Sequence, residues 1–506
     1  MSTDDAAKCQ AMAFAPAYAE TRYRAPRCKL AVVAVCSAML LGCAAPRPPF
    51  IDPVKVVPTD WSTVLETTAL VDASRHPWWQ ALQSTTLDQL VEEALSENTR
   101  VRRAVKAVEL ANQALETVKL GWLPSLSLFG GRISGDTTLF FQGLPVPVSN
   151  VGGFVGVLPN YFVNMFRLPY EQRQAMELVD VARAEMLAVR AGVVGEVVSA
   201  YALFLSATNE MAILKAVQQT LRQQYDLVAG LQSVGMASQT LLNQIEAERA
   251  QVKGQMALLR ANATAARNAL NTLVKRPLGT EQTVSATKGL AVADQVAGQT
   301  PAAVLNVRPD IVAERARVLA ATTGIDVETM LLAPTLEFNA LRTNIDTQVN
   351  NLGSQTNANF SAGYAALVLD PRVFGMIKTS ELLAQDALLR YVQTVDRALG
   401  EVDDAIAKFQ GQRLNLEAEQ EQVAILQRNV DELSALEQAQ LASELSVVEA
   451  RLEWLVSRLS RSQAQTQTLL AFVALQQAMG IGVLYGTENL TIVNGLIETP
   501  NHEEIP

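Results

Sequence analysis

Leu95-Ser96-Glu97-Asn98-Thr99-Arg100-Val101 leads into Leu123-Pro124-Ser125-Leu126, and 210 positions further on Leu305-Asn306-Val307-Arg308-Pro309-Asp310-Ile311 leads into Ala333-Pro334-Thr335-Leu336. A second set of matches, Glu196-Val197 with Glu401-Val402 and Ser238 with Ser443, stands at an offset of 205. The chain is therefore written twice, as two copies of roughly 200 residues. That period is far too long for a solenoid. It points to duplication and a protomer with pseudo-twofold organisation.

Each copy reads as a helix, two strands and two long helices. In the first, Leu87 to Leu120 is expected as one helix, helped at its start by Thr85, Thr86 and Asp88 and ended by Pro124. Residues 124–169 change character, with five Pro and seven Gly and β-rich pieces such as Ser125–Phe129 and Phe154–Leu158. From Glu171 to Lys275 there is no Pro. Within that stretch Ile245, Val252, Met256, Leu259, Ala263, Ala266, Leu270 and Leu273 recur at spacings of 7, 4, 3, 4, 3, 4 and 3, the seam of a coiled-coil helix. The second copy repeats the plan, with strands near Thr335–Thr343 and Phe360–Leu369 and no Pro from Arg372 to Thr499. Its seam is Leu416, Val423, Leu426, Val430, Leu433 and Leu436. A helix from Glu171 to Gly235 would be roughly 100 Å long at 1.5 Å per residue. A globular core does not need such a rod; a tunnel does.

The expected divisions are a signal segment at 1–42, a lipid-anchored N-terminal segment at 43–85, a first repeat at 86–290 with strands at about 124–169, a second repeat at 291–484 with strands at about 334–370, and a C-terminal tail at 485–506. The signal segment rests on a basic region (Arg22, Arg24, Arg27, Lys29) followed by the apolar run Leu30 to Leu41, too short to span a bilayer but right for a signal-peptide core. The segment before Arg22 is longer than such a signal needs, which leaves room for a start downstream of Met1. The run ends in Leu40-Leu41-Gly42-Cys43, which resembles the lipobox of bacterial lipoproteins. Cleavage before Cys43 would free a thiol and an amine for acyl chains, and several chains anchor stably. Ala44, where an Asp would signal retention at the inner membrane, directs the expectation to the outer membrane. Cys9, Cys28 and Cys36 would leave with the signal, so no disulfide is expected.

Composition narrows the function classes. Hydrophobic residues at 49%, charged residues at 18% and a net charge of −10 exclude a disordered chain and a basic nucleic-acid binder. Loss of residues 1–42 would leave 36 bases and 48 acids, a net of −12. With His76 and His502 as the only histidines, no His triad, His metal cluster or Cys-based site can be assembled, so neither an enzyme nor a metal or other cofactor is expected beyond lipid on Cys43. Gly130-Gly131 and Gly480-Ile481-Gly482 lack the Lys and Ser/Thr context of phosphate loops. Asp403-Asp404 are adjacent on a helix and point apart, as a solvated face does. Trp78-Trp79 is expected to pack the N-terminal segment onto the helices. No later stretch looks like a transmembrane helix, so any span would be made of strands. Four strands cannot close a membrane barrel, which needs about eight. Chains must pool them; two copies or three would both suffice.

Trp78-Trp79-Gln80-Ala81-Leu82 with Leu87-Asp88-Gln89-Leu90 and Ala94-Leu95 resembles the opening of channels of the TolC/OprM/NodT outer-membrane efflux family. Arg308-Pro309-Asp310-Ile311-Val312-Ala313-Glu314 is similar to that family's Arg-Pro-Asp-Ile-x-x-x-Glu signature, and Tyr391 to Val395 with Ala398 and Glu401 to Ala405 resembles its second-repeat helix. The resemblance runs from about Trp78 to Gly482. It implies a mainly α fold with a small β part: a homotrimeric α-barrel below a twelve-stranded transmembrane β-barrel in the outer membrane. It implies a passive efflux duct for small molecules, lipid-anchored and reaching into the periplasm. Its partners would be outer-membrane lipid, a periplasmic adaptor and an inner-membrane transporter of RND type, with no nucleic acid. The alternative is a structural or adhesive lipoprotein without a pore. Gly235-Met236-Ala237-Ser238 is similar to the family's adaptor-contacting hairpin tip, and in the second copy Gln440 replaces the Gly while Ser443 is kept. The acidic aperture positions fall on Ser446 and Glu449, and their basic partner on Ala442. The family's Leu-Asp-Leu-Phe-Gly element becomes Val163-Asn164-Met165-Phe166-Arg167, then Leu367 to Arg372, where Pro371 is expected to open a helix.

Overall fold

The computed structural model describes residues 61, 67–69, 73–141, 144–280, 296–298, 300–349, 352–366, 370–487, 490–493 and 496–498. The signal segment and Cys43 lie outside them. After strand β1 (Thr67–Ala69) and two 3-10 turns, the first copy contains helices α1 (Thr85–Glu97) and α2 (Thr99–Lys119), strands β2 (Ser125–Phe141) and β3 (Leu144–Val163), and helices α3 (Leu168–Ser233) and α4 (Gln239–Leu273). The second copy, after the short strand β4 (Val296–Gly298), contains α5 (Pro301–Val307) and α6 (Pro309–Thr329), β5 (Thr335–Val349) and β6 (Leu352–Ala366), then α7 (Arg372–Gln438) and α8 (Glu444–Ala478). A small hairpin, β7 (Thr491–Val493) and β8 (Leu496–Glu498), closes the described chain.

The helix expected from Leu87 to Leu120 is two helices, and its start is capped one residue before Thr85. Ser84 Oγ accepts the Leu87 N–H at 3.3 Å. The break falls at Asn98, whose side chain accepts from Arg100 N–H at 2.8 Å and donates to the Leu273 carbonyl at 2.8 Å. An extended backbone at Asn98 (φ −60°, ψ 128°) opens α2, and the amide fills a helix-end carbonyl that would otherwise lack a partner. The duplicated position, Arg308, has nearly the same backbone (φ −62°, ψ 123°) and separates α5 from α6. It reaches the Ala478 carbonyl at the end of α8. The two joints are one device used twice.

This device sets the architecture. The 66-residue α3 packs against α4 and α8 over one half of its length and against α2 and α6 over the other. The 67-residue α7 packs against α8 and α6. Short helices joined end to end at Asn98 and Arg308 thus match two long rods in a four-helix layer. The seam residues Ile245, Val252, Leu270, Leu416, Val423 and Val430 are all buried. A further core, with Val193, Val197, Val198, Phe409 and Phe472 at its centre, is covered by Trp78, Trp79 and the apolar face of α1. Each fully buried side chain of this kind stabilises the fold by about 1.5–3 kcal/mol relative to exposure. The sequence reading missed that α3 holds a window long and apolar enough to cross a membrane. Half of that window is buried, with α3 residues in the shared core, so it reads as the core of a long helix.

The strands are longer than their sequence cues. They form one antiparallel sheet in the order β2-β3-β5-β6, and β3 pairs with β5 across the two copies from Phe154↔Ile345 to Val163↔Leu336. β2 and β6 are the outer strands, each paired within the chain on one side. Where the family element is altered, Asn164 accepts from the Phe166 and Arg167 N–H groups and donates to Met330 O at 2.8 Å. Asp370, 206 residues on, accepts from Arg372 N–H at 2.9 Å, and Pro371 caps α7. The local sequence changed while the strand-to-helix turn stayed hydrogen-bonded.

Candidate functional site

The two hairpins end alike. At the first, Gly235 has φ +78°, its N–H bonds Gln232 O at 3.0 Å, and Met236 N–H bonds Leu231 O at 2.8 Å. This is the left-handed closure for which Gly is suited. Ser238 then caps α4 by accepting from Leu241 N–H at 3.3 Å. At the second, Gln440 takes φ +57°, its N–H bonds Glu437 O and that of Leu441 bonds Leu436 O, both at 2.8 Å. Ser443 caps α8, accepting from Ser446 N–H at 3.1 Å. A left-handed non-Gly residue costs about 1–2 kcal/mol. Gln440→Gly is therefore expected to stabilise the chain by about 1 kcal/mol, and Gly235→Ala to destabilise it by a similar amount, in urea unfolding followed by circular dichroism.

Each tip also presents an apolar side chain that the sequence reading did not single out. Met236 is 76% exposed and Leu441, its counterpart 205 residues on, is 77% exposed. Singly they look like core residues; the offset that pairs Ser238 with Ser443 would have flagged them.

The aperture positions separate. Ser446 is occupied in the cap, with its hydroxyl 2.7 Å from that of Ser443. Glu449 is exposed and forms no ion pair among the described residues. It shares one face of α8 with Glu453, Val456, Ser460, Gln463 and Gln467, at spacings of 4, 3, 4, 3 and 4. The bases of α8 lie elsewhere: Arg451, Arg458 and Arg461 share a stripe with Trp454 at spacings of 3, 4 and 3. The Arg458 guanidinium sits 4.7 Å from the Trp454 ring centre, and burial, with Arg461 beside it, holds it below its ordinary pKa. Continued along α8, that basic face arrives at Phe472, where Trp78 covers it edge-on at 5.9 Å. One face of the layer is thus covered by the N-terminal segment. The opposite face is open and carries Glu449.

At the second joint Arg308 uses all five of its N–H donors. Nε and Nη2 bond Asp310 at 3.0 and 2.7 Å, Nη2 also bonds Glu401 at 2.7 Å, and Nη1 bonds Ala398 O at 3.3 Å and Ala478 O at 3.2 Å. Burial works against this charge, but Asp310 and Glu401 outweigh it and raise the guanidinium above its usual value. Asp310 and Glu401 of the sequence signatures are therefore brought together. In the first copy the corresponding acid, Glu196, pairs with Arg100 at 2.7 Å.

Comparison with known proteins agrees with this architecture. Residues 300–481 match the family described as outer membrane efflux protein. The pyoverdine export outer membrane protein OpmQ of Pseudomonas putida is 24% identical over 466 residues, 88% of this chain and 96% of its own. Nodulation protein T of Rhizobium leguminosarum bv. trifolii is 20% identical over 452 residues, covering 88% of this chain and 96% of its own. The solved structure of the outer-membrane channel OprN superposes with a TM-score of 0.72 at 20% identity, covering 87% of this chain and 99% of that one. The family's domain thus matches the second repeat, and the fold of the solved channel extends over both repeats.

Proposed function

We propose that this protein is the outer-membrane channel of a tripartite export system, a passive duct assembled from three copies. The observation that carries the reading is the four-stranded sheet with two outer strands, mounted on a layer built around helices of 66 and 67 residues. Its strands run 15 to 20 residues, more than the roughly 9–11 that a tilted strand needs to span a bilayer. Lipid does not tolerate open strand edges, so β2 of one copy must pair with β6 of the next until the sheet closes. Three copies give a twelve-stranded barrel. A rod of 66 residues is roughly 100 Å long, the dimension of a periplasmic tunnel.

The remaining parts follow from this placement. Lipid on Cys43 anchors the N-terminal segment at the outer membrane, and that segment wraps the outside of the helical barrel through Trp78 and Trp79. The opposite face, with Glu449, lines the lumen. The hairpin tips, Gly235 to Ser238 and Gln440 to Ser443, contact a periplasmic adaptor, and Met236 and Leu441 supply the apolar part of that contact. An inner-membrane transporter of RND type provides the energy, since a passive duct guides cargo without driving it. Three Glu449 carboxylates at the narrow end would raise the local cation concentration.

Purified protein reconstituted in a planar lipid bilayer tests this. Discrete conductance steps with cation preference are expected, and Glu449→Ala is expected to lower that preference while keeping the steps. Absence of any step in either protein would leave a lipid-anchored structural role.

A further inference from the structure

The open face of the helical layer holds a groove of about 330 Å³ between α3, α4 and α8. Its floor is α3, with Leu203, Ser206 and Glu210; Leu259 and Asn262 of α4 form one wall, and Gln463 and Gln467 of α8 the other. Glu210 is only 6% exposed. Ser206 donates to one of its carboxylate oxygens at 2.6 Å, and Thr466 of α8 donates to Ser206 at 2.7 Å. Among the described residues no other donor reaches this carboxylate, and no cation pairs with it.

A buried carboxylate satisfied by one hydroxyl is expensive without an opposite charge. None of the groove's lining residues supplies one, since Glu210 is the only titratable group among them. The neighbouring helices turn their bases away. On α4, Arg249, Lys253, Arg260 and Arg267 follow a stripe at spacings of 4, 7 and 7, and none of them lines the groove. On α8, Arg451, Arg458 and Arg461 occupy the face continuous with the N-terminal cover. Glu449 and Glu453 share the groove's own face of α8. Charge on this face therefore repels anions and draws in cations.

We propose that the groove is a binding site for an amphipathic organic cation, a resting station on the duct wall, which makes positively charged organic molecules the favoured cargo class. The walls argue for an organic ligand: Leu203, Leu259 and Ala266 offer apolar contact, and the Asn262, Gln463 and Gln467 amides supply hydrogen bonds at the mouth. No group of three or more His, Cys, Asp or Glu able to hold a metal ion is present among the described residues, which disfavours a bare ion. The volume accommodates a small ring system at the lower end of ligand-pocket sizes, about 300 Å³. The inference rests on the open face being the duct wall.

Full-length protein in detergent is titrated with rhodamine 6G, an amphipathic cationic dye, and with fluorescein as the anionic counterpart, by fluorescence anisotropy. Glu210→Gln keeps the acceptor for Ser206 and removes the charge. It is expected to weaken rhodamine binding at least about tenfold. Glu453→Gln, an exposed acid on the same face, is expected to change it less than about twofold, and fluorescein is expected not to bind. Asn262→Trp, which fills the mouth from an exposed wall position, is expected to abolish dye binding whether or not Glu210→Gln folds. Equal affinity in wild type and Glu210→Gln, equal losses in Glu210→Gln and Glu453→Gln, or unchanged binding in Asn262→Trp would overturn the proposal. The same samples are imaged by electron microscopy. Threefold particles indifferent to Glu210 would sink the cation site alone, whereas compact monomers would sink the duct.

Discussion

Arg308→Ala is expected to lower the stability of the protein by about 2–4 kcal/mol, because it removes charge-assisted hydrogen bonds at a buried joint. The guanidinium is 8% exposed and satisfies two carboxylates and two main-chain carbonyls on α6, α7 and α8. Its removal leaves the Ala478 carbonyl at the end of α8 without its side-chain donor, and leaves Asp310 and Glu401 with only the more distant Arg397, at 4.0 and 3.7 Å. Arg308→Lys restores the charge but not the planar fork, so about half the loss is expected to remain. Urea unfolding of both variants, with Glu401→Ala and the double variant, would show whether the terms couple. Strict additivity of Arg308→Ala and Glu401→Ala would contradict the joint as described.

Trp79→Ala is expected to cost about 3–5 kcal/mol and to detach the N-terminal segment from the helical layer. The ring is 2% exposed and stands edge-on to Tyr485 at 4.9 Å and to Trp78 at 5.8 Å. The backbone there leaves no slack. Gly482 has φ +75°, and a Cβ on it would lie 2.8 Å from His76 O and 3.1 Å from Trp78 Cδ1. A variant that loses the ring is expected to become sensitive to protease between residues 60 and 85 while the helical hairpins stay protected. Unchanged protection would mean that the segment is held by other contacts.

Much of this fold could be read along the chain because duplication makes every weak signal appear twice. The absence of Pro over more than a hundred residues marks α3 with α4 and α7 with α8, and the Pro- and Gly-rich stretches between 124 and 169 mark the strand pair. The break at Asn98 was not legible. Nothing local interrupts the apolar period there; the amide is required by the Leu273 carbonyl, 175 residues away. Only its twin carries a local mark, Pro309 after Arg308, and the 210-residue offset would have been needed to carry that mark back to Asn98. The cues marked only part of each strand, Ser125–Phe129 within β2 and Phe154–Leu158 within β3, because the Gly and Pro inside β2 and β3 look like punctuation, and β6 begins at Leu352, ahead of its cue at Phe360.

The site divided in the same way. Gly235, Ser238 and Ser443 announce a turn and two helix caps by residue type, and Gln440 declares itself only through the repeat. Met236, Leu441 and Glu210 carry no such mark. The first two resemble core residues and the third a surface acid until the packing of α3, α4 and α8 exposes the one pair and buries the other.

Electron microscopy of negatively stained protein extracted in detergent from outer membranes bears most directly on the claim that three of these chains make one duct. Elongated particles with threefold symmetry are expected, well over roughly 100 Å long given the 66-residue α3 and the strands beyond it. Compact monomers, or rods without a barrel end, would contradict that claim.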